Sequence, residues 1–342
     1  MGHNCLASNL FNHAPFGQNP ARTQPHPDAG SFKIIKSYKI MNRRQFTKKT
    51  LLGSAFLSSI PLTGFSNPAQ DINMANKRKI KKGIMWATLR AGDTIEEKFM
   101  AAKQAGLDGI EMMSHLDRDE VLAARDKTGL EIPSVCGSLH GRYPLSDPDP
   151  AVRKQGVDAL RHTIEDAGIY GADTVLLVPG RVTNEVSYDQ CWNRSIPEIR
   201  KVITLAERLN ISIAIENVWN NFLLSPLEAA HYVDQFNSPF VRFYFDVGNI
   251  RVYGWPEQWI NILSNRIAKV HIKEYSMQLA ESQGRRAGFG VDLMDGDIDW
   301  PEVMNSLDNI GYSDWAILEQ PGGDTLEGLT DLSTRLGKIL EA

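Results

Sequence analysis

The stretch Asp166-Ala-Gly-Ile-Tyr-Gly-Ala-Asp-Thr-Val175 decides the fold. A helical run ends in glycine, and an apolar, β-branched run begins within three residues. The same join recurs at Gln104-Ala-Gly-Leu-Asp-Gly-Ile110 and at Asn309-Ile-Gly-Tyr-Ser-Asp-Trp-Ala-Ile317. Glycine after a helix adopts the left-handed cap, and the chain re-enters as a strand. Repetition of this unit predicts alternating helices and parallel strands.

Working outward, eight short apolar runs appear: Lys82–Ala87, Gly109–Met113, Pro133–Leu139, Thr174–Pro179, Ser212–Asn217, Val241–Asp246, Lys269–Lys273 and Trp315–Glu319. Amphipathic segments separate them. The clearest is Pro150–Ala167, with proline suited to a first turn and Val157, Leu160, Ile164 and Ala167 on one face. Eight such units within residues 80–342 predict an α/β chain folded as a (β/α)8 TIM barrel. A doubly wound sheet would bring a glycine-rich phosphate loop after the first strand. Trp86-Ala-Thr-Leu-Arg-Ala-Gly-Asp93 is no such loop.

The charge is divided unevenly. Residues 1–79 hold 11 Lys/Arg against 2 Asp/Glu, and residues 80–342 hold 26 against 39, a net of −13. An acidic body excludes nucleic acid as a partner, because phosphate contacts need clustered Lys and Arg. The three cysteines, Cys5, Cys136 and Cys191, are too few and scattered for a disulfide framework or zinc finger. Cys136 reads as a small buried hydrophobe.

The basic excess belongs to a leader. Residues 41–70 read as a twin-arginine export signal: Arg43-Arg44, Phe46 and Lys48 precede the apolar run Leu51–Phe65. That run is shorter than the roughly 20 residues a spanning helix needs and is broken by Gly53, Pro61 and Gly64. Residues 1–40 read as an upstream extension without a fold, and 71–79 as a linker. The expected location is periplasmic or otherwise exported, with no stable membrane span once the signal is removed.

In such barrels the chemistry sits at the C-terminal strand ends. At or within two residues of the ends of runs five to eight stand Glu216, Asp246, His271 and Glu319. Each is ionisable and follows an apolar run, where an unpaired charge is costly. Adjacent parallel strands lie about 4.8 Å apart, so four consecutive ends can converge on one ion. Three carboxylates and an imidazole favour Mn²⁺ or Mg²⁺, with Zn²⁺ and Co²⁺ also compatible. Glu216 and Glu319 flank the arc and are the expected acid/base pair. A metal chelating a ketose carbonyl and hydroxyl acidifies the neighbouring C–H through an enediolate.

Three stretches then carry a resemblance: Ile132-Pro-Ser-Val-Cys-Gly-Ser-Leu-His-Gly-Arg-Tyr-Pro-Leu145 with Asp149-Pro-Ala-Val-Arg-Lys-Gln-Gly156; Phe245-Asp-Val-Gly-Asn249; and Val270-His-Ile-Lys273. Over nearly all of residues 80–342 the chain resembles the xylose isomerase-like TIM-barrel sugar isomerases and epimerases. Within them it is similar to the L-ribulose-5-phosphate (L-xylulose-5-phosphate) 3-epimerase and hexulose-6-phosphate isomerase-like families. The resemblance implies the same metal quartet and acid/base pair. It also implies that His140 lines the pocket, that Glu111 is a pocket-facing acid, and that Asn249 follows the phosphopentulose branch, where free-sugar epimerases carry histidine. Arg142, Lys273 and Arg286 are placed to contact hydroxyls or a phosphate.

An export signal does not suit cytosolic sugar phosphates, and Gly288–Trp300 is crowded with acids. The expected substrate is therefore a neutral sugar, a keto-sugar or a glycoside, turned over by a sugar isomerase or 3-epimerase. The alternatives are a keto-glycoside lyase or hydrolase on the same barrel and a secreted carbohydrate-binding protein. An endonuclease-like, three-metal reading fails for want of histidines: the body holds only His115, His140, His162, His231 and His271. A homo-oligomer is compatible with all of these readings.

Overall fold

The computed structural model describes residues 78–342. The expected extension, the signal segment and all but the end of the linker lie outside the described residues. Eight strands are present: β1 (Lys81–Met85), β2 (Gly109–Met113), β3 (Ser134–Cys136), β4 (Thr174–Leu177), β5 (Ser212–Ile215), β6 (Val241–Asp246), β7 (Ile267–Ile272) and β8 (Trp315–Leu318). They pair in sequence order, every neighbour parallel, and β8 returns to β1 to close the barrel. Helices separate consecutive strands, which completes the (β/α)8 fold.

Local chemistry explains the joins. Gly106, Gly171 and Gly311 take φ of +77°, +79° and +71°, the left-handed caps expected from the repeated unit. The helix Pro150–Tyr170 starts behind Asp149, whose side chain accepts from the Ala151 N–H, and buries Val157, Leu160, Ile164 and Ala167. β3 is shorter than its apolar run. After Cys136 the chain turns, with the Tyr143 N–H bonded to the Leu139 carbonyl, so Ser138–Tyr143 is a rim loop.

The core has two layers. One lies between strands and helices and includes Phe243, Phe245, Val270 and Ile272. The other fills the barrel interior with Met85, Cys136, Leu176, Ala214, Tyr244, Ala268, Trp315 and Ile317. Strand side chains alternate faces. Ala214, Tyr244 and Ile317 point inward, so Glu216, Asp246 and Glu319, each two residues on, share that direction. β7 needs a correction to join them. Phe243 pairs with Ile267, but the next residue, Tyr244, pairs with Lys269, which leaves Ala268 as an extra residue. This bulge slips the register by one and sets His271 beside Asp246.

Candidate metal and acid/base site

Glu216, Asp246, His271 and Glu319 meet at the C-terminal mouth of the barrel. Each offers one ligand-type atom, and these atoms all lie within 4.8 Å of one another. His271 Nδ1 is the hub, 3.2 Å from Glu319 Oε2, 3.4 Å from Glu216 Oε1 and 3.9 Å from Asp246 Oδ2. Asp246 Oδ1 accepts the Asn249 N–H at 2.8 Å, which starts the short helix Val247–Arg251. Asp246 Oδ2 is buried and has no hydrogen-bond partner. Its neighbouring charge is Lys273 Nζ at 2.9 Å.

Lys273 also lies 2.6 Å from Glu319 Oε2. Its ammonium thus stands against two of the acids. Phe289, from the loop after β7, places its ring centroid 5.4 Å from that ammonium, and Trp219, from the loop after β5, packs on Phe289 at 5.0 Å. Two loops therefore contribute an aromatic wall beside the acids.

Burial pushes the Glu216 carboxyl upward, opposed by His271. It pushes Asp246 upward too, opposed by Lys273. Glu319 differs: burial would raise it, but Lys273 and His271 outweigh that and hold it well below the usual carboxylate range. Burial would lower His271, but Glu111 and Glu319 overrule it and raise the imidazole well above its ordinary value. Cys136 is buried, as expected, with its thiol held up by burial and by Glu111, Glu216 and Glu319.

The donor set suits a divalent cation. Two buried carboxylates, the half-buried Glu319 and one imidazole converge, and the local charge is negative even after the Lys273 ammonium, 2.9 Å from Asp246 Oδ2, is counted. A second group, His115, His162 and Asp166, also brings ligand atoms within 4.8 Å. There Asp166 is the only carboxylate of the group and Arg118 Nε sits 2.7 Å from its Oδ1, so that pair leaves no net negative charge for a cation, unlike the three acids around Lys273.

The remaining sequence expectations fall in different places. His140 stands on the rim loop after β3, its Nδ1 accepting from the Val178 N–H at 3.4 Å, and burial holds its pKa down at about 4. Asn249 is buried beside Asp246. Arg142 and Arg286 are exposed on rim loops. Glu111 is fully buried, and the structure sets it behind His271, 2.9 Å from Nε2. The acid-crowded segment after Phe289 does local structural work: Asp295 pairs with Arg335, Asp297 accepts the Met277 N–H, and Asp299 caps the helix Trp300–Asn309.

Sequence reading missed Glu274, which follows Lys273. It is buried, and its carboxylate accepts four N–H groups: Tyr275 at 3.1 Å, Ile298 at 3.4 Å, Met294 at 2.9 Å and the Trp300 indole at 2.8 Å. This residue pins the long loop that carries Phe289. It also missed Ser134 and Tyr244, which contact Glu111. Tyr244 lies two residues before Asp246 and so shares its inward face, a signal available from strand periodicity.

The class defined by these features is a TIM barrel, closed and parallel, with a carboxylate–histidine cluster at its C-terminal mouth that could hold a metal ion. The description "xylose isomerase-like TIM barrel" matches residues 99–337, and the chain belongs to that family. It is 27% identical over 249 residues to the L-ribulose-5-phosphate 3-epimerase UlaE of Escherichia coli, covering 69% of this chain and 85% of that protein. Among solved structures it is similar in fold to the E. coli 3-keto-D-glucoside 4-epimerase YcjR, with a TM-score of 0.64, 17% identity, and coverage of 77% of this chain and 100% of that one. An L-ribulose 3-epimerase gives a TM-score of 0.63 at 20% identity, covering 77% and 95%. These relatives are sugar epimerases, and epimerases are isomerases.

Proposed function

We propose that the protein is a divalent-metal-dependent sugar isomerase or 3-epimerase that acts on an unphosphorylated ketose or keto-sugar. The observation that carries this reading is the convergence of Glu216, Asp246, His271 and Glu319 within 4.8 Å at the barrel mouth. The relationship to an L-ribulose-5-phosphate 3-epimerase supports the same reaction class. Lys273, the cation against the cluster, is committed to Asp246 and Glu319, which argues against a dianionic phosphate at that point.

Glu216, Asp246, Glu319 and Nδ1 of His271 would hold the cation, with Mn²⁺ the first choice and Mg²⁺, Zn²⁺ or Co²⁺ also suited. When bound, it supplies electron withdrawal from a chelated carbonyl and adjacent hydroxyl, which acidifies the neighbouring C–H. Glu319 takes that proton; the C–H electron pair forms a C=C bond as the carbonyl oxygen gains the negative charge. Glu216 returns a proton as the C=C pair forms the new C–H bond and the carbonyl is restored. Delivery to the opposite face inverts the centre, whereas delivery to the adjacent carbon, with the hydroxyl proton passing to the former carbonyl oxygen, moves the carbonyl. Phe289 and Trp219 give a sugar's C–H face an apolar surface.

The test is to incubate Mn²⁺-supplemented protein with a panel of free and phosphorylated ketoses in D₂O. Deuterium should appear at one carbon of a free ketose or keto-sugar, and Glu216→Gln or Glu319→Gln should abolish its uptake. No uptake with any ketose, alongside turnover of a glycoside, would move support to a lyase. Export through the twin-arginine route is proposed from residues 41–70, and Arg43→Lys with Arg44→Lys should retain the protein in the cytoplasm.

A further inference from the structure

We infer that Glu111 is a positioning residue, gripping one edge of His271 so that Nδ1 faces Glu216, Asp246 and Glu319. This rests on the reading that the four residues hold a cation.

Glu111 lies on β2, across the barrel from β7, and is fully shielded from water. Its Oε1 is 2.9 Å from His271 Nε2. Its Oε2 accepts the Ser134 hydroxyl at 2.5 Å and the Tyr244 hydroxyl. With both oxygens accepting, the proton in the His271 contact belongs to Nε2, which leaves Nδ1 as the nitrogen presented to the three acids.

Geometry fixes the ring as well as the proton. Rotating the imidazole by half a turn would exchange Nε2 for Cε1 and Nδ1 for Cδ2. Glu111 Oε1 would then lose its donor, and the three acids would face carbon. A buried carboxylate oxygen without a donor is strongly disfavoured, so the contact selects one ring orientation. Glu111 cannot easily follow the ring, because Ser134 on β3 and Tyr244 on β6 hold it from the other side. The Tyr244 ring also lies 4.5 Å from the His271 ring, tilted by 52°, and walls the imidazole in. One phenol thus packs on the histidine and donates to the acid that orients it.

The experiment is Mn²⁺ titration of the full chain by calorimetry, with thermal melts to verify folding, on the parent, Glu111→Gln, Tyr244→Phe and the double variant. Loss of a group that orients a metal-binding histidine typically weakens affinity about 10- to 100-fold, and that fall is expected for Glu111→Gln. Tyr244→Phe keeps the ring against His271 and removes only the hydroxyl, which reaches the histidine through Glu111, so it should weaken binding by about threefold or more. The double variant should bind no more weakly than Glu111→Gln, a non-additivity that general loosening of the barrel would not produce. Parent-like Mn²⁺ affinity in folded Glu111→Gln, or full additivity, overturns the inference and leaves the cation reading intact. If the parent itself takes up no Mn²⁺, both fall. Should Glu111→Gln fail to fold, Tyr244→Phe decides alone, and parent-like affinity there refutes the positioning role.

Discussion

Replacing Glu274 by glutamine changes one oxygen to an amide nitrogen and almost nothing else in size. In the folded chain each carboxylate oxygen faces two N–H donors: Tyr275 and Ile298 on Oε1, Met294 and Trp300 on Oε2. Either amide orientation therefore sets an NH₂ group against two N–H groups. Each buried donor left without an acceptor costs about 1–3 kcal/mol, giving roughly 2–6 kcal/mol for two. Burial pushes the Glu274 carboxyl up despite its four donors, so the native anion already bears a desolvation cost and the lower half of that range applies, about 2–4 kcal/mol. For a domain of this size that corresponds to a fall in Tm of roughly 4–16 °C. Scanning calorimetry measures the shift, and hydrogen–deuterium exchange locates it in the peptides covering 289–300. A Tm within about 2 °C of the parent, with unchanged exchange in that segment, would refute the claim that this carboxylate pins the loop.

Three further outcomes are expected. In Gly156→Ala the new Cβ would lie 2.4 Å from the Tyr143 carbonyl oxygen and 2.8 Å from the Leu145 side chain, so the helix and the rim loop must separate. The cost is about 1–3 kcal/mol, read as a lowered urea midpoint; an unchanged midpoint contradicts the close packing. His140 is held down at about 4, below the roughly 6.5 of a free histidine, so the unfolded chain binds more protons between those values. Its contribution is complete above about pH 6.5 and is lost as pH falls toward 4, and His140→Asn should flatten stability across that window by about 1–3 kcal/mol. Chelation should abolish deuterium exchange, and Mn²⁺ should restore it while raising the melting temperature with concentration; full activity after exhaustive chelation would remove the metal from the mechanism.

Much of this protein is readable along its chain. Glycine-capped helix-to-strand joins at Gly106, Gly171 and Gly311 follow from local backbone preference, and eight repeats of the unit leave a closed parallel barrel as the compact solution. The ionisable ends of runs five to eight are equally legible, because period-two alternation sends Glu216, Asp246 and Glu319 the same way as the interior residues two places earlier. What the chain did not disclose depends on register and on contacts between distant strands. The slip at Ala268 brings His271 alongside Asp246, and no local signal marks it, since a bulge is selected by the pairing of two strands and not by either one. Glu111 reads as a pocket acid from its place at the end of β2. Its partners are 23, 133 and 160 residues away, and only closure of the barrel turns it toward His271. Lys273 and Glu274 are neighbours with opposite duties, one against the acids and one clamping a loop. Sequence gives their charges; the tertiary structure decides which buried groups each must neutralise, because a buried charge is stable only where its partners converge.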